Sequence, residues 1–250
     1  MSRPDIAVLI APGTNRDGEA VRALELAGAR AQLVHTGEPL EPFAGVVIPG
    51  GFSYGDALGA GMRWALEAGE SVGRAVSAGG VVLGICNGFQ VLVRSGLLPG
   101  GDQPSSSDQP SSFGARHGRQ VTLTANAGGH FVCRWVALGA EPGNAAGLHP
   151  RLAGVIACPV AHGEGRLATT HPSVVEDLQA NGQILFRYVE GTNPNGSVAD
   201  IAGLCDRTGR VWGLMPHPED HLTEVQNPFP HRPGRAGLAL FQAFVDRART

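Results

Sequence analysis

Up to Pro99 the chain alternates short apolar runs with stretches of helical periodicity. Asp5–Ile10, Ala31–His35, Ala44–Ile48 and Val81–Ile85 have the length and β-branched content of buried strands. Between them, Asp17 to Ala27 sets Val21, Leu24 and Leu26 at helical spacing. Ala57 to Ala78 reads as two helical pieces broken near Gly69, and Asn87–Arg94 reads as a helix. Strands apolar throughout and separated by helices form a parallel sheet covered on both faces. The expected fold is therefore α/β, a three-layer α/β/α sandwich around a central, mostly parallel sheet.

The pattern breaks after Pro99. Residues 101–120 are rich in Gly, Ser, Gln and Pro, and Asp102-Gln-Pro-Ser-Ser repeats at Asp108-Gln-Pro-Ser-Ser. Such a composition buries little and is expected to form a flexible insertion in a loop rather than a domain boundary. Beyond it, Phe131–Leu138, Val155–Val160 and Ile184–Val189 read as strands, Pro172–Ala180 as a helix, and Val211–Met215 as a strand running into Pro216-His217-Pro218-Glu219. Leu238 to Ala248 closes the chain as an amphipathic helix with Leu238, Phe241, Phe244 and Val245 inward. Residues 1–250 are expected to form a single domain.

Composition narrows the function. A hydrophobic content of 42% over 250 residues supports a sizeable core. A formal charge of −3 gives no basic field for nucleic acid or anionic membrane. No apolar run approaches the ~20 residues of a membrane span, and Met1 to Ile10 lacks a signal-peptide layout, so a cytoplasmic protein is expected. The four cysteines, Cys86, Cys133, Cys158 and Cys205, form no C-x-x-C pair. They read as free thiols, three filling the core and one reactive. All 19 Lys-plus-Arg residues are Arg. Without Lys there is no Schiff-base nucleophile and no Walker-type phosphate loop, so any ATP chemistry falls to another chain.

The candidate chemistry lies at strand ends. In Val81-Val-Leu-Gly-Ile-Cys-Asn-Gly-Phe-Gln90 an apolar strand meets an apolar helix, with Cys86 at the junction between Gly84 and Gly88. This G-x-C-x-G is the thiol counterpart of the serine nucleophile elbow. The sharp turn lifts the nucleophile out of the packed layer, and the helix N-terminus beside the sulfur favours thiolate. Val46–Ile48 ends in Pro49-Gly50-Gly51, a turn able to lie beside Cys86 at the same sheet edge. The amides of Gly51 and Asn87 are the candidate oxyanion donors. His217-Pro218-Glu219 follows another strand. In an extended segment its first and third side chains share a side, so Glu219 is placed to hold the imidazole of a general base, His217. His217-x-Glu219 is also half of a zinc-deaminase pattern, but the P-C-x-x-C half is missing, so no metal is expected.

Together these pieces resemble the class I (triad) glutamine amidotransferases and, more narrowly, the family of glutaminase subunits of phosphoribosylformylglycinamidine synthase. The resemblance covers nearly the whole chain. It is carried by Pro12-Gly-Thr-Asn15, Pro49-Gly-Gly-Phe-Ser-Tyr-Gly-Asp56, Gly84-Ile-Cys-Asn-Gly-Phe-Gln90, Val160-Ala-His-Gly-Glu-Gly165, Asn195 to Gly203 and Met215-Pro-His-Pro-Glu219. It implies a flavodoxin-like fold and a triad of Cys86, His217 and Glu219 that hydrolyses glutamine to glutamate and ammonia through a thioester. It further implies a role for Gln90 in holding glutamine, and a synthetase large subunit that receives the ammonia. That partner would use ATP and Mg to make formylglycinamidine ribonucleotide in purine biosynthesis. A small third subunit is common in such complexes, and no cofactor is expected in this chain. The family usually carries Arg directly after the His-Pro-Glu triplet, where this chain has Asp220. The residues also leave open another cysteine amidohydrolase of the same architecture, or a non-catalytic scaffold subunit.

Overall fold

The computed structural model describes residues 3–100, 120–147, 152, 154–228 and 237–250. Apart from Gln120, the expected insertion lies outside them. The apolar runs form the strands predicted: β1 (Asp5–Ile10), β2 (Arg30–His35), β3 (Gly45–Ile48) and β4 (Val81–Ile85), with β11 (Val211–Leu214) beside β4. These five run parallel in the order β2-β1-β3-β4-β11. All residues of β3, β4 and β11 are buried, as expected of strands covered on both faces.

The sheet does not stop there. It continues antiparallel through β10 (Ile201–Cys205), β9 (Ile184–Tyr188), β6 (Val132–Ala140) and β7 (Val155–His162), giving nine strands among the described residues. A separate antiparallel pair joins β5 (Val121–Thr124) to β8 (Arg166–Thr169).

Helix α1 (Asp17–Leu26) connects β1 to β2 in one direction across the sheet, while α2 (Met62–Ser77) connects β3 to β4 in the other. Right-handed crossovers running in opposite directions put their helices on opposite faces. Accordingly α1 packs against the C-terminal helix α5 (Leu238–Arg247), and α2 against α3 (Asn87–Arg94). The two faces are visible at neighbouring residues of β11. Trp212 stacks edge-on with Phe244 of α5 at 5.5 Å, whereas Gly213 lies against Phe89 of α3. The strand order reverses between β1 and β3, the switch point at which α/β sheets open a crevice beyond the strand C-termini.

Two local expectations need correction. Residues 62–77 form one helix, not two pieces. A helical glycine costs about 1 kcal/mol relative to alanine, less than is gained by burying a face that includes Trp64, Ala65, Ala68 and Val72. Cys133 is not a core residue; it is exposed near the start of β6, opposite Ala161 in the sheet's outer hairpin. Cys86, Cys158 and Cys205 are buried free thiols. Burial pushes the Cys205 thiol up to about 11, consistent with an inert core filler.

Candidate active site

Cys86 stands between β4 and α3 with φ +51° and ψ −104°, a left-handed conformation that residues with side chains seldom adopt. Backbone hydrogen bonds on either side hold it there: its amide donates to Leu214 O at 2.8 Å, and its carbonyl accepts from Gln90 N at 3.1 Å. The flanking glycines are sterically required. A Cβ at Gly84 would lie 2.6 Å from Gly88 O, and one at Gly88 would lie 1.9 Å from Ile48 O. The second contact explains more than the turn: it lets α3 approach the end of β3, which leads into the Pro49-Gly50-Gly51 loop.

That loop is held by the segment after β1. Phe52 N donates to Gly13 O at 3.0 Å, Tyr54 N to Pro12 O at 2.7 Å and Asn15 N to Gly50 O at 3.4 Å. Gly51 itself has φ +153°. The Asn87 side chain, wholly buried, ties the elbow to this loop by accepting from Ser53 N at 3.3 Å. The bonds that fix the two turns are thus made by amides other than those of Gly51 and Asn87, the expected oxyanion donors.

The expected acid–base pair lies just beyond the end of β11. His217 Nδ1 donates to Glu219 Oε1 at 2.7 Å, with both side chains buried. The geometry differs from the extended segment expected, because Pro218–Asp220 form a 3-10 turn closed by Asp220 N donating to His217 O at 3.2 Å. The turn, not strand alternation, brings the carboxylate under the ring. Gly50 makes room for that ring, since a Cβ there would sit 2.6 Å from His217 Cε1. Burial alone would disfavour the imidazolium. The charge of Glu219, then that of nearby Cys86, and the hydrogen bond to Glu219 outweigh it and hold the His217 pKa well above the ordinary imidazole value. With Nδ1 committed to Glu219, Nε2, buried and without a hydrogen-bond partner, is the ring nitrogen left for Cys86.

The antiparallel half closes the other side. His217 N donates to Pro159 O at 2.8 Å, and Cys86 Sγ lies 3.8 Å from Ala161 O, both carbonyls on β7. Gln90 bridges α3 to the loop after β7: its Nε2 donates to Glu164 O at 2.6 Å, and its Oε1 accepts from Asn87 Nδ2 at 2.9 Å. Asp220, the departure from the family pattern, is partly buried and paired with Arg16 at 3.3 Å. Burial, and then the charge of Glu219, push the Asp220 carboxyl up, while His217 and Arg16 oppose them. Among the described residues no cluster of His, Cys, Asp or Glu is placed to hold a metal ion.

One polar network was not foreseen. Asn126, in the turn after β5, donates to His130 O and His162 O at 2.9 Å, and its Oδ1 accepts from Gly165 N and His162 Nδ1 at 3.1 Å. Asn195 donates to Gly165 O at 2.8 Å, and its Oδ1 accepts from Ser197 N and Oγ. An isolated Asn in a Gly-rich turn carries no sequence signal for such a role. Burial, and then the charge of nearby His217, lower the His162 pKa to about 4.

This predicts an acid-sensitive fold. The unfolded chain takes up a proton near pH 6.5 that native His162 refuses until about 4. The contribution is complete above about pH 6.5 and is lost as pH falls through 4, about 2–3 kcal/mol of it by pH 4.5. Denaturant unfolding at pH 7.5 and 4.5 should show wild type losing about that much more stability than His162→Gln. Equal losses in the two proteins would remove His162 as the cause.

Comparison with known proteins agrees with this architecture. The sequence matches the CobB/CobQ-like glutamine amidotransferase domain over residues 3–246. It is 44% identical to phosphoribosylformylglycinamidine synthase subunit PurQ of Treponema denticola, over 88% of this chain and 89% of that protein. It is also 44% identical to the subunit of the same name from Corynebacterium jeikeium, over 96% of both chains. The solved structure of PurLQS from Thermotoga maritima contains a chain that superposes with a TM-score of 0.77 at 30% identity, covering 98% of this chain and 99% of that one. The chain belongs to the CobB/CobQ-like glutamine amidotransferase family, among its PurQ members.

Proposed function

We infer that this chain is the glutaminase subunit of a phosphoribosylformylglycinamidine synthase. The observation that carries the reading is a buried His217–Glu219 pair at 2.7 Å set against a nucleophile-elbow cysteine. The names and coverage of its PurQ relatives supply the substrate and pathway. The Cys86 thiolate adds to the side-chain carboxamide carbon of glutamine, and the Gly51 and Asn87 amides stabilise the oxyanion. Imidazolium Nε2 protonates the nitrogen as the C–N bond breaks, so ammonia leaves and a γ-glutamyl thioester remains. Neutral His217 then takes a proton from water, hydroxide adds to the thioester, and glutamate departs as the thiolate is restored. Glu219 keeps the tautomer that presents Nε2 throughout. Gln90 holds the α3 side of the pocket and contributes to glutamine binding.

The ammonia passes to the synthetase large subunit, which converts formylglycinamide ribonucleotide with ATP and Mg, and a small third subunit completes the complex. The match to a chain of PurLQS supports these partners. We read the chain as one domain that needs no cofactor of its own and works in the cytoplasm. Among the described residues no helix is long and apolar enough to cross a membrane.

The test is covalent. A diazo-ketone analogue of glutamine should label wild type stoichiometrically and leave Cys86→Ala unlabelled, and glutamate release should rise when the synthetase and its nucleotide substrate are added. Labelling that survives Cys86→Ala, or hydrolysis indifferent to the synthetase, would reject the assignment.

A further inference from the structure

Asp220 and Arg16 meet where two parts of the site approach each other. Arg16 follows Asn15, and the segment from Pro12 to Asn15 holds the Gly50–Phe52 turn through the backbone bonds already described. The aliphatic part of Arg16 lies against Gly50, its Cγ 3.5 Å from where a Cβ would be, on the residue that also faces the His217 ring. From there Arg16 Nε reaches Asp220 Oδ2 at 3.3 Å, and the Arg16 Nη1 contact with Glu19 is longer at 4.0 Å. Asp220 is the last residue of the 3-10 turn that carries His217 and Glu219. One ion pair therefore spans from the loop that supports the oxyanion turn to the turn that supplies the base. Both side chains are mostly shielded, at 34% and 24% exposure, so the pair is screened less than a surface pair.

We propose that the Arg16–Asp220 pair is a positioning device for the reaction: it fixes the spacing between the Gly51 amide and the His217 imidazole, with neither residue touching substrate. The inference rests on the glutaminase reading. Without Arg16, Asp220 would be a second carboxylate behind Glu219, with only the charge of His217 to offset it. Without Asp220, Arg16 would have no anchor on the catalytic turn. A misplacement of about 1 Å between reacting groups costs up to ~100-fold, so loss of one tether is expected to cost about 10-fold.

The experiment compares wild type, Arg16→Gln, Asp220→Asn and the exchanged pair Arg16→Asp/Asp220→Arg, each assembled with the synthetase. The readouts are kcat and KM for glutamine, thermal melting, and the rate at which iodoacetamide alkylates Cys86. Alkylation needs the thiolate but not the oxyanion turn. Each single variant should lose about 10-fold in kcat, with KM and alkylation within about twofold, and the exchange should return to within about threefold of wild type. Single variants at wild-type kcat, losses confined to KM, or a folded exchange as impaired as the singles would overturn the proposal. If a single variant fails to fold, the exchange decides. A folded, active exchange supports the pair, and an unfolded or inactive one defeats it, since mutual attraction survives reversal. Diazo-ketone labelling of wild type separates the two readings. No wild-type labelling rejects the glutaminase assignment, whereas normal labelling with unaffected variants rejects only the tether.

Discussion

Cys86→Ser is expected to lower glutamine hydrolysis by about 10⁴-fold or more while leaving the fold intact. The substitution exchanges one atom for a smaller one at a buried site whose sulfur makes a single 3.8 Å contact to a carbonyl. What changes is the nucleophile. The His217–Glu219 pair is arranged to stabilise an imidazolium beside a thiolate, and a serine hydroxyl, far less acidic, does not form the anionic partner of that ion pair. The oxyanion donors and pocket remain, so residual catalysis of up to ~10³-fold over water is consistent with the assignment. Steady-state glutamate release and a thermal melt check both halves. Retention of more than a few per cent of wild-type turnover would mean that another group attacks the amide.

Gly88→Ala should have the largest effect on stability of any one-methyl change near the site. Helix propensity alone favours alanine by about 1 kcal/mol, so the sign depends on the space available. There is none, because the new Cβ would fall 1.9 Å from Ile48 O and 2.7 Å from Ile48 C. Both are backbone atoms of a fully buried strand and cannot rotate aside, so α3 and β3 must separate. Overpacking of this kind costs about 3 kcal/mol or more, and the displaced elbow should cost roughly 100-fold in kcat. Gly50→Ala is the informative contrast. Its Cβ would meet the His217 ring at 2.6 Å and Arg16 Cγ at 3.5 Å, both side-chain neighbours. The ring can swing aside, at the expense of its bond to Glu219. Gly50→Ala should therefore lose a similar factor in kcat with a smaller fall in denaturation midpoint than Gly88→Ala. A Gly88→Ala protein as stable as wild type would show that the elbow is not packed against β3 as described.

The parallel half of the fold, the Cys86 turn and the His217–Glu219 pair were legible in the sequence because each is encoded locally. β4 and α3 were read to the residue, since a five-residue apolar run meets an equally apolar helix across a G-x-C-x-G turn. His217 and Glu219 were found through their spacing, although a 3-10 turn rather than an extended segment joins them. What escaped depends on partners distant in sequence. β10 holds one β-branched residue, Ile201, and is bulged against β9, so its strand propensity is weak. β5 and β8 are four residues each and have meaning only as a pair. The antiparallel order of β10-β9-β6-β7 is set by which edges meet, which periodicity does not encode. Asn126 and the fit of Gly50 against His217 were missed for the same reason: both depend on contacts across the fold that no spacing announces. Arg16 was equally silent, because an ion pair across two loops leaves no trace in either loop alone.

The left-handed backbone at residue 86 sets thermostability and turnover against each other in this chain. Holding a β-carbon in such a conformation costs of order 1–3 kcal/mol, a strain that glycine would relax. A library screened only for heat resistance would therefore be drawn to glycine at this position, and its best survivors would be inert.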